Sequence, residues 1–396
     1  MANQFLQADL MWPAVVLLAW IAGEWLYGWI RLPRISSYAL VGFTFGSGQL
    51  GWLPNMGVGG SSMLLLANIA FGLILFEAGH RLNLRWLRIN PWIAVSSVLE
   101  ATLTFIAVYA LCRQFDLAPT SALLIAALSM ASSPATVLRV VNEQRSSGQV
   151  TERALHLSVL NCMLAVFAFK LVLGYRVFES SGNLLQAGYQ SLLVLVLSAA
   201  LGALFGLALP ALLQLLRRSR SDATIAFAIS VILLVALTHY LKQSPVLATL
   251  AFGVMSRHRR TILGGAERGF GVLGDVLSVL LFVSVAASIH WNLALGGWLA
   301  GIALVLVRAG VKVATLWALA RPAGLSLRKG ALTGLAIAPF SVFVILVLEQ
   351  TRHLGVNLID QLAPLAAAAL LLELVGPVLT WLALSGARET HVQEGR

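Results

Sequence analysis

Long apolar runs follow one another along the whole chain, and short polar or charged stretches separate them. A helix needs about 20 apolar residues to cross the hydrocarbon core of a bilayer, and most of the runs approach that length. The pattern therefore predicts an all-α polytopic membrane protein, in which Lys242 and Pro245 separate the eighth span from a short ninth one. The thirteen predicted spans are 9–30, 35–53, 60–79, 91–113, 118–140, 152–176, 188–216, 221–241, 244–256, 269–290, 294–319, 328–349 and 360–384.

Two of the predicted spans are interrupted near their middle by proline, which breaks a helix because it lacks the backbone N–H. The interruptions are Ser132-Ser133-Pro134 in the fifth span and Pro339 with Ser341 in the twelfth. Either interruption alone fits a kink that neighbouring helices accommodate. Two interruptions in spans of opposite topology favour inverted repeats whose broken helices cross at a transport site. There the ends of the half-helices offer partial charges to an ion.

The composition supports a membrane protein without a cofactor. The chain is 59% hydrophobic and 11% charged with a mean hydropathy of +0.87, whereas soluble domains carry about 25% charged residues. Cys112 and Cys162 both fall within predicted spans, which argues against a disulfide framework. The sequence contains no metal-ligand spacing, phosphate-binding loop or dinucleotide fingerprint, so we expect neither an enzyme nor a cofactor.

The distribution of basic residues predicts the orientation in the membrane. Of the 27 Lys and Arg, twenty fall in the loops after odd-numbered spans and in the C-terminal tail, and four fall in the opposite loops. Cytoplasmic loops carry the excess of Lys and Arg, so we expect the N-terminus outside and the C-terminus in the cytoplasm. The same distribution explains the net charge of +11 without any binding of nucleic acid.

The remaining three cationic side chains, Lys170, Arg308 and Lys312, lie inside predicted spans. A charge at the bilayer centre costs at least about 2.5 kcal/mol, so these residues indicate a functional site with a polar path or a buried acid. Arg308 and Lys312 are four residues apart and therefore share a helix face. We expect Asp275 and Glu373 to be structural because they lie nearer to helix ends. The candidate acids within spans are Glu24, Glu100, Asp275 and Glu373.

Five segments, in order, resemble motifs of the monovalent cation/proton antiporter superfamily, in the branch of bacterial sodium/proton exchangers and potassium-efflux antiporters. The resemblance covers residues from about 15 to 385, and the order and spacing of the motifs support it more than any single one. The segments are residues 32–46 (LPR, then two glycines), 73–79 (LILFEAG), 132–143 (SSPATVLRVVNE), 244–253 (SPVLATLAFG) and 373–377 (ELVGP).

The chain departs from this family at the residues that bind the ion. In the family, the helix after the broken one carries an Asn-Asp or Asp-Asp pair, whereas the matching pair here is Asn161-Cys162. The ion-binding carboxylate is therefore absent, and a thiol is a poor ligand for a hard alkali cation. Cys162 fits a small apolar filler or a redox-sensitive thiol. Pro339 and Ser341 also replace the family's Gly-Gly-acid type of sequence, whereas Lys312 matches its basic residue opposite the carboxylate.

Several side chains remain candidates for carrying a proton or for pairing with Lys312. Glu100 lies in the span that the family packs beside the crossing, so it is our preferred partner or substitute carboxylate, with helix packing as the alternative. His156 fits a proton carrier or a hydrogen-bonded packing residue. Lys170, about 12 Å past Cys162 along the helix axis, fits a proton carrier or a side chain that extends to the outer interface. Lys312 fits a transport residue or a retained structural cation.

The resemblance implies one transmembrane domain and a homodimer in the lipid bilayer of a bacterial-type inner membrane. The spans of the core would move as a unit, and those of the scaffold would form the dimer. The implied regions are the transmembrane domain at 1–385, the core at 91–176 and 294–384, the scaffold at 9–79 and 221–290, the linker at 188–216 and a short cytoplasmic tail at 386–396.

The resemblance also implies a function, which is exchange of sodium or potassium for protons by an elevator-like mechanism. Ser132, Ser133 and Asn161 would supply oxygen ligands to the small inorganic ion. Two alternatives remain open. A proton-coupled anion transporter would explain three buried cations without the matching acid. A non-transporting sensor or a subunit of a larger assembly would explain the lost carboxylate.

Overall fold

The structure is a computed structural model that describes residues 2–46, 48–53, 62–181, 184–215, 220–258, 266–289, 291–353 and 362–391. Within these residues the chain forms helices and no β-strand. The helices are α1 (Ala2–Ile30), α2 (Arg34–Phe45), α3 (Ser62–Arg81), α4 (Leu84–Ile89), α5 (Pro91–Gln114), α6 (Pro119–Ser129), α7 (Pro134–Glu143), α8 (Gln149–Ser181), α9 (Leu184–Leu215), α10 (Arg220–Tyr240), α11 (Pro245–His258), α12 (Ala266–Ala287), α13 (Trp291–Gly296), α14 (Trp298–Ala318), α15 (Leu327–Ala336), α16 (Val342–His353) and α17 (Ala363–Gly386).

Each predicted apolar run overlaps a helix or a pair of helices separated by a break, which confirms the all-helical fold. Among the described residues, eight helices are long and apolar enough to cross a membrane. Three further apolar helices are shorter, at Thr224–Tyr240, Pro245–Arg257 and Gly274–Ala287. The count of thirteen spans therefore stays a prediction. The eight long segments are Met11–Ile30, Leu64–Arg81, Pro91–Gln114, Pro119–Glu143, Gln149–Gly174, Leu192–Leu215, Trp298–Ala318 and Ala363–Gly386.

Residue contacts divide the chain into two compact units. The first unit comprises Met1–Leu64, Trp92–Ala165 and Val279–Arg396. Within it α14 packs against α15 and α17, α1 packs against α2, and α17 also contacts α2, α7 and α13. Nearly all candidate site residues belong to this unit. The division into a moving core and a dimerising scaffold stays a prediction.

The second unit comprises Leu65–Pro91 and Val166–Ser278. Helix α9 packs along α11, and α10 contacts both. A cluster of aromatic rings fills its centre, where Phe252 lies 4.7 Å from Phe76 and 5.8 Å from Phe227 between ring centroids. Offset and tilted ring pairs at these distances stabilise a core beyond their buried area.

The first helix break separates α6 from α7 and follows directly from the Ser-Ser-Pro sequence. Helix α6 ends at Ser129 and α7 begins at Pro134. The hydroxyl of Ser133 accepts a hydrogen bond from the backbone N–H of Thr136 at 3.2 Å, which caps the new helix. Proline is tolerated at the first helical position because the N–H that it lacks would have no partner there.

The second break separates α15 from α16. Helix α15 ends at Ala336 and α16 begins at Val342. Pro339 lies between them, and the hydroxyl of Ser341 accepts a hydrogen bond from the backbone N–H of Phe343 at 3.3 Å. Both predicted interruptions are therefore true breaks, because each leaves several residues without helical structure.

The segment after α17 caps the start of α8, the helix that carries Asn161. The Glu389 carboxylate accepts hydrogen bonds from the backbone N–H groups of Val150 at 3.0 Å and Thr151 at 2.9 Å. The Thr151 hydroxyl also donates to it at 2.9 Å, and the Lys329 ammonium lies 3.8 Å away. The first N–H groups of a helix have no partner within the helix, so this carboxylate satisfies them and complements the helix dipole. Residues 392–396 of the predicted tail lie outside the described residues.

Candidate functional site

The two helix breaks meet inside the first unit. The backbone N–H of Ser133, in the first break, donates to the carbonyl oxygen of Pro339, in the second, at 3.1 Å. Both residues are buried. The extended segments that proline forces out of the helices therefore lie in direct contact, as the sequence predicted for a crossing of two broken helices.

Arg308 of α14 spans both breaks, and its side chain is fully buried. Its guanidinium also lies over the ring of Phe340, 4.8 Å from the ring centroid. Backbone carbonyl groups that lose their helical partners at a break need other donors, and a rigid five-donor fork can serve several of them. Arg308 thus holds the breaks together. It donates to the carbonyl oxygens of Ser129 (2.8 Å), Ala131, Ala338 and Pro339 (3.4 Å).

Lys312, one turn further along α14, forms a buried ion pair with Glu100 of α5. Its ammonium lies 2.6 Å from Glu100 Oε1, and both side chains are 0% exposed. The ammonium also donates to the Ser132 hydroxyl at 3.1 Å, and the Thr104 hydroxyl donates to Glu100 Oε1 at 2.9 Å. The acid that the sequence favoured as the partner of Lys312 is therefore the one it contacts.

Asn161 connects this ion pair to α8. Its amide nitrogen donates to Glu100 Oε2 and lies 3.4 Å from the Ser132 hydroxyl. Its amide oxygen accepts from the Ser97 hydroxyl at 2.7 Å. Because both ends of the amide are bonded, its orientation is fixed, and both carboxylate oxygens of Glu100 have donors.

Cys162, the next residue, lies against the second break. Its sulfur is 3.7 Å from the Ser341 hydroxyl, and the thiol is fully buried. Cys162 thus contacts Ser341, whereas Glu100 supplies the negative charge beside Lys312.

The crossing brings together most of the residues that the sequence singled out, although their transport roles stay predictions. Two predicted proton carriers are placed elsewhere. His156 lies more than one turn from Asn161 along α8, with Nδ1 2.7 Å from the Glu152 carbonyl oxygen, and the half-buried Lys170 belongs to the second unit. The residues at the crossing are Ser132, Ser133, Pro134, Asn161, Cys162, Arg308, Lys312, Pro339, Ser341 and Glu100.

Sequence reasoning missed two polar contributors, Ser97 and Thr104. They lie three residues before and four residues after Glu100 on α5, so all three share one helix face. The pattern that could have identified them is a pair of small polar residues, three residues before and four residues after an acid within an apolar run. A further expectation was wrong, because Glu373 lies near the middle of α17 and not near its end.

A small cavity of about 10 Å³, enough for about one water molecule, lies within the first unit one helical turn from the Lys312–Glu100 pair. Ser96, one turn before Glu100, and Leu316, one turn after Lys312, both line it. Arg153 lines it as well, and its guanidinium donates to the carbonyl oxygen of Ala323 at 2.6 Å. In the described part of the chain, no group of three or more His, Cys, Asp or Glu side chains could hold a metal ion.

Comparisons with known proteins give a family from the sequence profile and a fold from solved structures. Residues 14–384 match the profile described as sodium/hydrogen exchanger, transmembrane. The sodium proton antiporter MjNhaP1 from Methanocaldococcus jannaschii at pH 8 aligns with a TM-score of 0.69 and 16% identity, covering 96% of each chain. An electron-microscopy structure of the same antiporter aligns with a TM-score of 0.75 and 16% identity, covering 98% of this chain and 99% of that one.

No curated protein sequence matches the chain significantly. At 16% identity the structural likeness establishes the shared fold alone. The profile match, in contrast, extends over nearly the whole chain, from residue 14 to residue 384. The chain therefore belongs to the sodium/hydrogen exchanger family of membrane transporters.

Proposed function

We propose that this protein exchanges a monovalent cation, sodium or potassium, for protons. Membership of the family and the antiporter fold support this proposal. The observation that carries it is the buried Lys312–Glu100 pair at the crossing of the two broken helices. In this pair Glu100 takes the place of the carboxylate that is missing at Cys162.

The charges at the crossing explain how cation and proton would compete. Arg308 and Lys312 are cationic and Glu100 is anionic, so the three side chains carry one excess positive charge. A metal cation that reaches Glu100 adds another charge in a buried site, where repulsion is poorly screened. Release of a proton from Lys312 removes that repulsion and frees a carboxylate oxygen. Lys312 then releases one proton for each cation that binds.

The ligands around Glu100 suit an alkali cation. Its carboxylate and the hydroxyl of Ser132 are hard oxygen donors, which such cations prefer. The amide oxygen of Asn161 accepts from the Ser97 hydroxyl, so it would have to turn toward the ion to act as a further ligand. The guanidinium N–H groups of Arg308 already donate to backbone carbonyl oxygens, so they are not available to bind an anion. This arrangement favours a cation over an anion as the substrate.

The path from the cytoplasm to the ion pair would pass the small cavity that Ser96 and Leu316 line, one helical turn from Glu100 and Lys312. Arg153 lines this cavity, Arg321 follows the end of α14, and Arg328 lies in the first turn of α15. Because cytoplasmic segments are rich in Arg and Lys, this end would face the cytoplasm, with the N-terminus outside. The family resemblance supports an elevator-like movement, a homodimer and location in an inner membrane.

A flux assay in proteoliposomes tests the proposal. Sodium or potassium chloride is added outside vesicles that carry a pH gradient, choline chloride serves as the salt control, and an internal dye reports pH. The wild type should move protons only with an alkali cation. Glu100→Gln should abolish the response, because it removes the negative charge that attracts both the cation and the Lys312 ammonium.

Glu77→Gln is the matched control, because it removes a carboxylate that pairs with Arg81 in the second unit. It should transport like the wild type. A pH response to anions without a response to cations would refute cation exchange and support an anion transporter. Absence of any flux, together with a partner that co-purifies in fixed ratio, would instead support a non-transporting subunit.

A further inference from the structure

One buried acid in the first unit has no role in the site described above. Glu373 lies near the middle of α17, and its side chain is 2% exposed. Its Oε1 has no hydrogen-bond partner, and no ion pair reaches it from the residues that the structure describes. An ionised carboxylate is rarely buried without a partner, because its lost hydration must be replaced by donors or by an opposite charge.

The position of Glu373 links it to the second break. Glu373, Gly376 and Thr380 share one face of α17, because they are three and seven residues apart. A Cβ atom on Gly376 would lie 3.1 Å from the Cα of Pro339, and the Thr380 hydroxyl donates to the carbonyl oxygen of Ala336 at 2.9 Å. This face therefore packs against the break, within one helical turn of Glu373.

The charged and titratable groups on the neighbouring helices have other partners. Arg308 contacts backbone carbonyls, Lys312 contacts Glu100, and Arg34 lies 2.8 Å from Glu24. Among the described side chains on helices packed against α17, these groups are Arg34 and Tyr38 of α2, Arg139 and Glu143 of α7, Arg308 and Lys312 of α14, and Arg328 and Lys329 of α15.

The two basic residues of α15 are also engaged. Arg328 donates to the carbonyl oxygen of Gly386 at 2.9 Å, and Lys329 lies 3.8 Å from Glu389. The neutral acid is thus the form of Glu373 that this environment accommodates, because no cationic side chain among the described residues pairs directly with its carboxylate.

The net charge at the crossing indicates how the proton on Glu373 would take part in exchange. With Glu373 neutral, Arg308, Lys312 and Glu100 sum to one positive charge. When a cation binds at Glu100 and Lys312 and Glu373 each release a proton, the net charge of the cation and the four side chains becomes zero. The carboxylate formed at Glu373 then offsets the charge of Arg308, which bonds to the same Pro339 that α17 contacts.

We propose that Glu373 is a second proton-binding site, which releases its proton when a cation binds at Glu100. The inference rests on the proposed exchange of cations for protons. It sets the stoichiometry, since two protons leave for each monovalent cation that enters. Each cycle then moves one net charge across the membrane, so the exchange rate should depend on the membrane potential.

Glu373→Gln tests this proposal, because the amide resembles the neutral acid and cannot release a proton. In proteoliposomes with a clamped membrane potential, wild-type exchange should respond to the potential, and the variant should exchange without responding. In detergent, cation binding should release two protons from the wild type and one from the variant. Glu77→Gln should behave like the wild type in both measurements. A variant with unchanged proton count and unchanged voltage response would overturn the proposal.

Infrared difference spectroscopy provides a readout that does not require transport. The wild type and Glu77→Gln should show the carbonyl stretch of a protonated carboxylic acid that Glu373→Gln lacks. If the wild type shows no such band, the proposal is wrong even where exchange occurs. A wild type that shows the band but no cation-driven flux would refute the proposed function and leave the buried proton established. If Glu373→Gln does not fold, Glu373→Asp should shift the band.

Discussion

The buried ion pair between Lys312 and Glu100 predicts strong energetic coupling between the two positions. The groups lie 2.6 Å apart with no exposure, so removing either one leaves the other charge buried. Loss of one partner from such a pair costs about 3–5 kcal/mol. Lys312→Met leaves the carboxylate with Asn161 and Thr104 as donors, and Glu100→Gln leaves the ammonium with Ser132.

The double variant Glu100→Gln/Lys312→Met should be far less destabilised than the sum of the single ones. Replacing a buried ion pair by uncharged residues of similar size often changes stability little. We therefore expect the double variant to lower the free energy of unfolding by about 0–2 kcal/mol. The two single losses sum to about 6–10 kcal/mol, which leaves a coupling of at least about 4 kcal/mol. A lone buried amine can give up its proton, which places Glu100→Gln at the low end of the range.

Thermal denaturation in detergent, followed by size-exclusion chromatography, measures these differences. Each single variant should lower the melting midpoint by roughly 5–10 °C, and the double variant should recover most of that loss. Glu77→Gln, in a partly exposed pair, should change stability by about 1 kcal/mol or less. Additive losses in the double variant would refute the buried pair. The double variant should remain inactive in transport because it lacks both charges.

Four further substitutions test other parts of the structure. Arg308→Lys should lower the free energy of unfolding by about 2–4 kcal/mol in the same melting assay, because one ammonium cannot bond to carbonyls of both breaks. Glu389→Gln should lower the free energy of unfolding by about 1–2 kcal/mol and speed proteolysis at the start of α8, because the helix loses a charged cap. Gly42→Val should reduce the folded yield on size-exclusion chromatography, because a side chain there meets the backbone of Val283. Cys162→Ala should retain flux, and the native thiol should react with maleimide only after denaturation.

The parts of the fold that depend on local sequence were predictable. Apolar runs located the helices because a spanning helix must be apolar over its whole length. The Ser-Ser-Pro sequence located the first break, since Ser133 caps and Pro134 starts the helix that follows. Glu100 could be favoured as a partner of Lys312 because it lies in the span that the resembled family packs beside the crossing.

The partners of Arg308 could not be predicted in the same way. Its guanidinium bonds to backbone carbonyls of Ser129 and Ala338, and every residue has a carbonyl, so no residue type marks the site. The cap that Glu389 provides for α8 comes from a residue 238 positions away from Thr151, in a tail too short to suggest structure. Such contacts depend on how distant segments pack, and the sequence gives no local signal for them.

Under the proposed function, Asn161 explains how a carboxylate on α5 would replace the one that the resembled family carries on the helix of Asn161. Asn161 keeps the first position of the family's pair and donates to Glu100 on α5, so the amide supports the acid from the helix that lost its own. Lys312 and Thr104 occupy one oxygen of that acid and Asn161 occupies the other. These donors fill three of the roughly four lone-pair sites of the carboxylate, so a cation that binds there competes with them, and the ammonium is the donor that can leave as a neutral group. Competition between a cation and a proton for the same oxygen atoms is the condition that exchange requires, and Glu100 meets it where Cys162 does not.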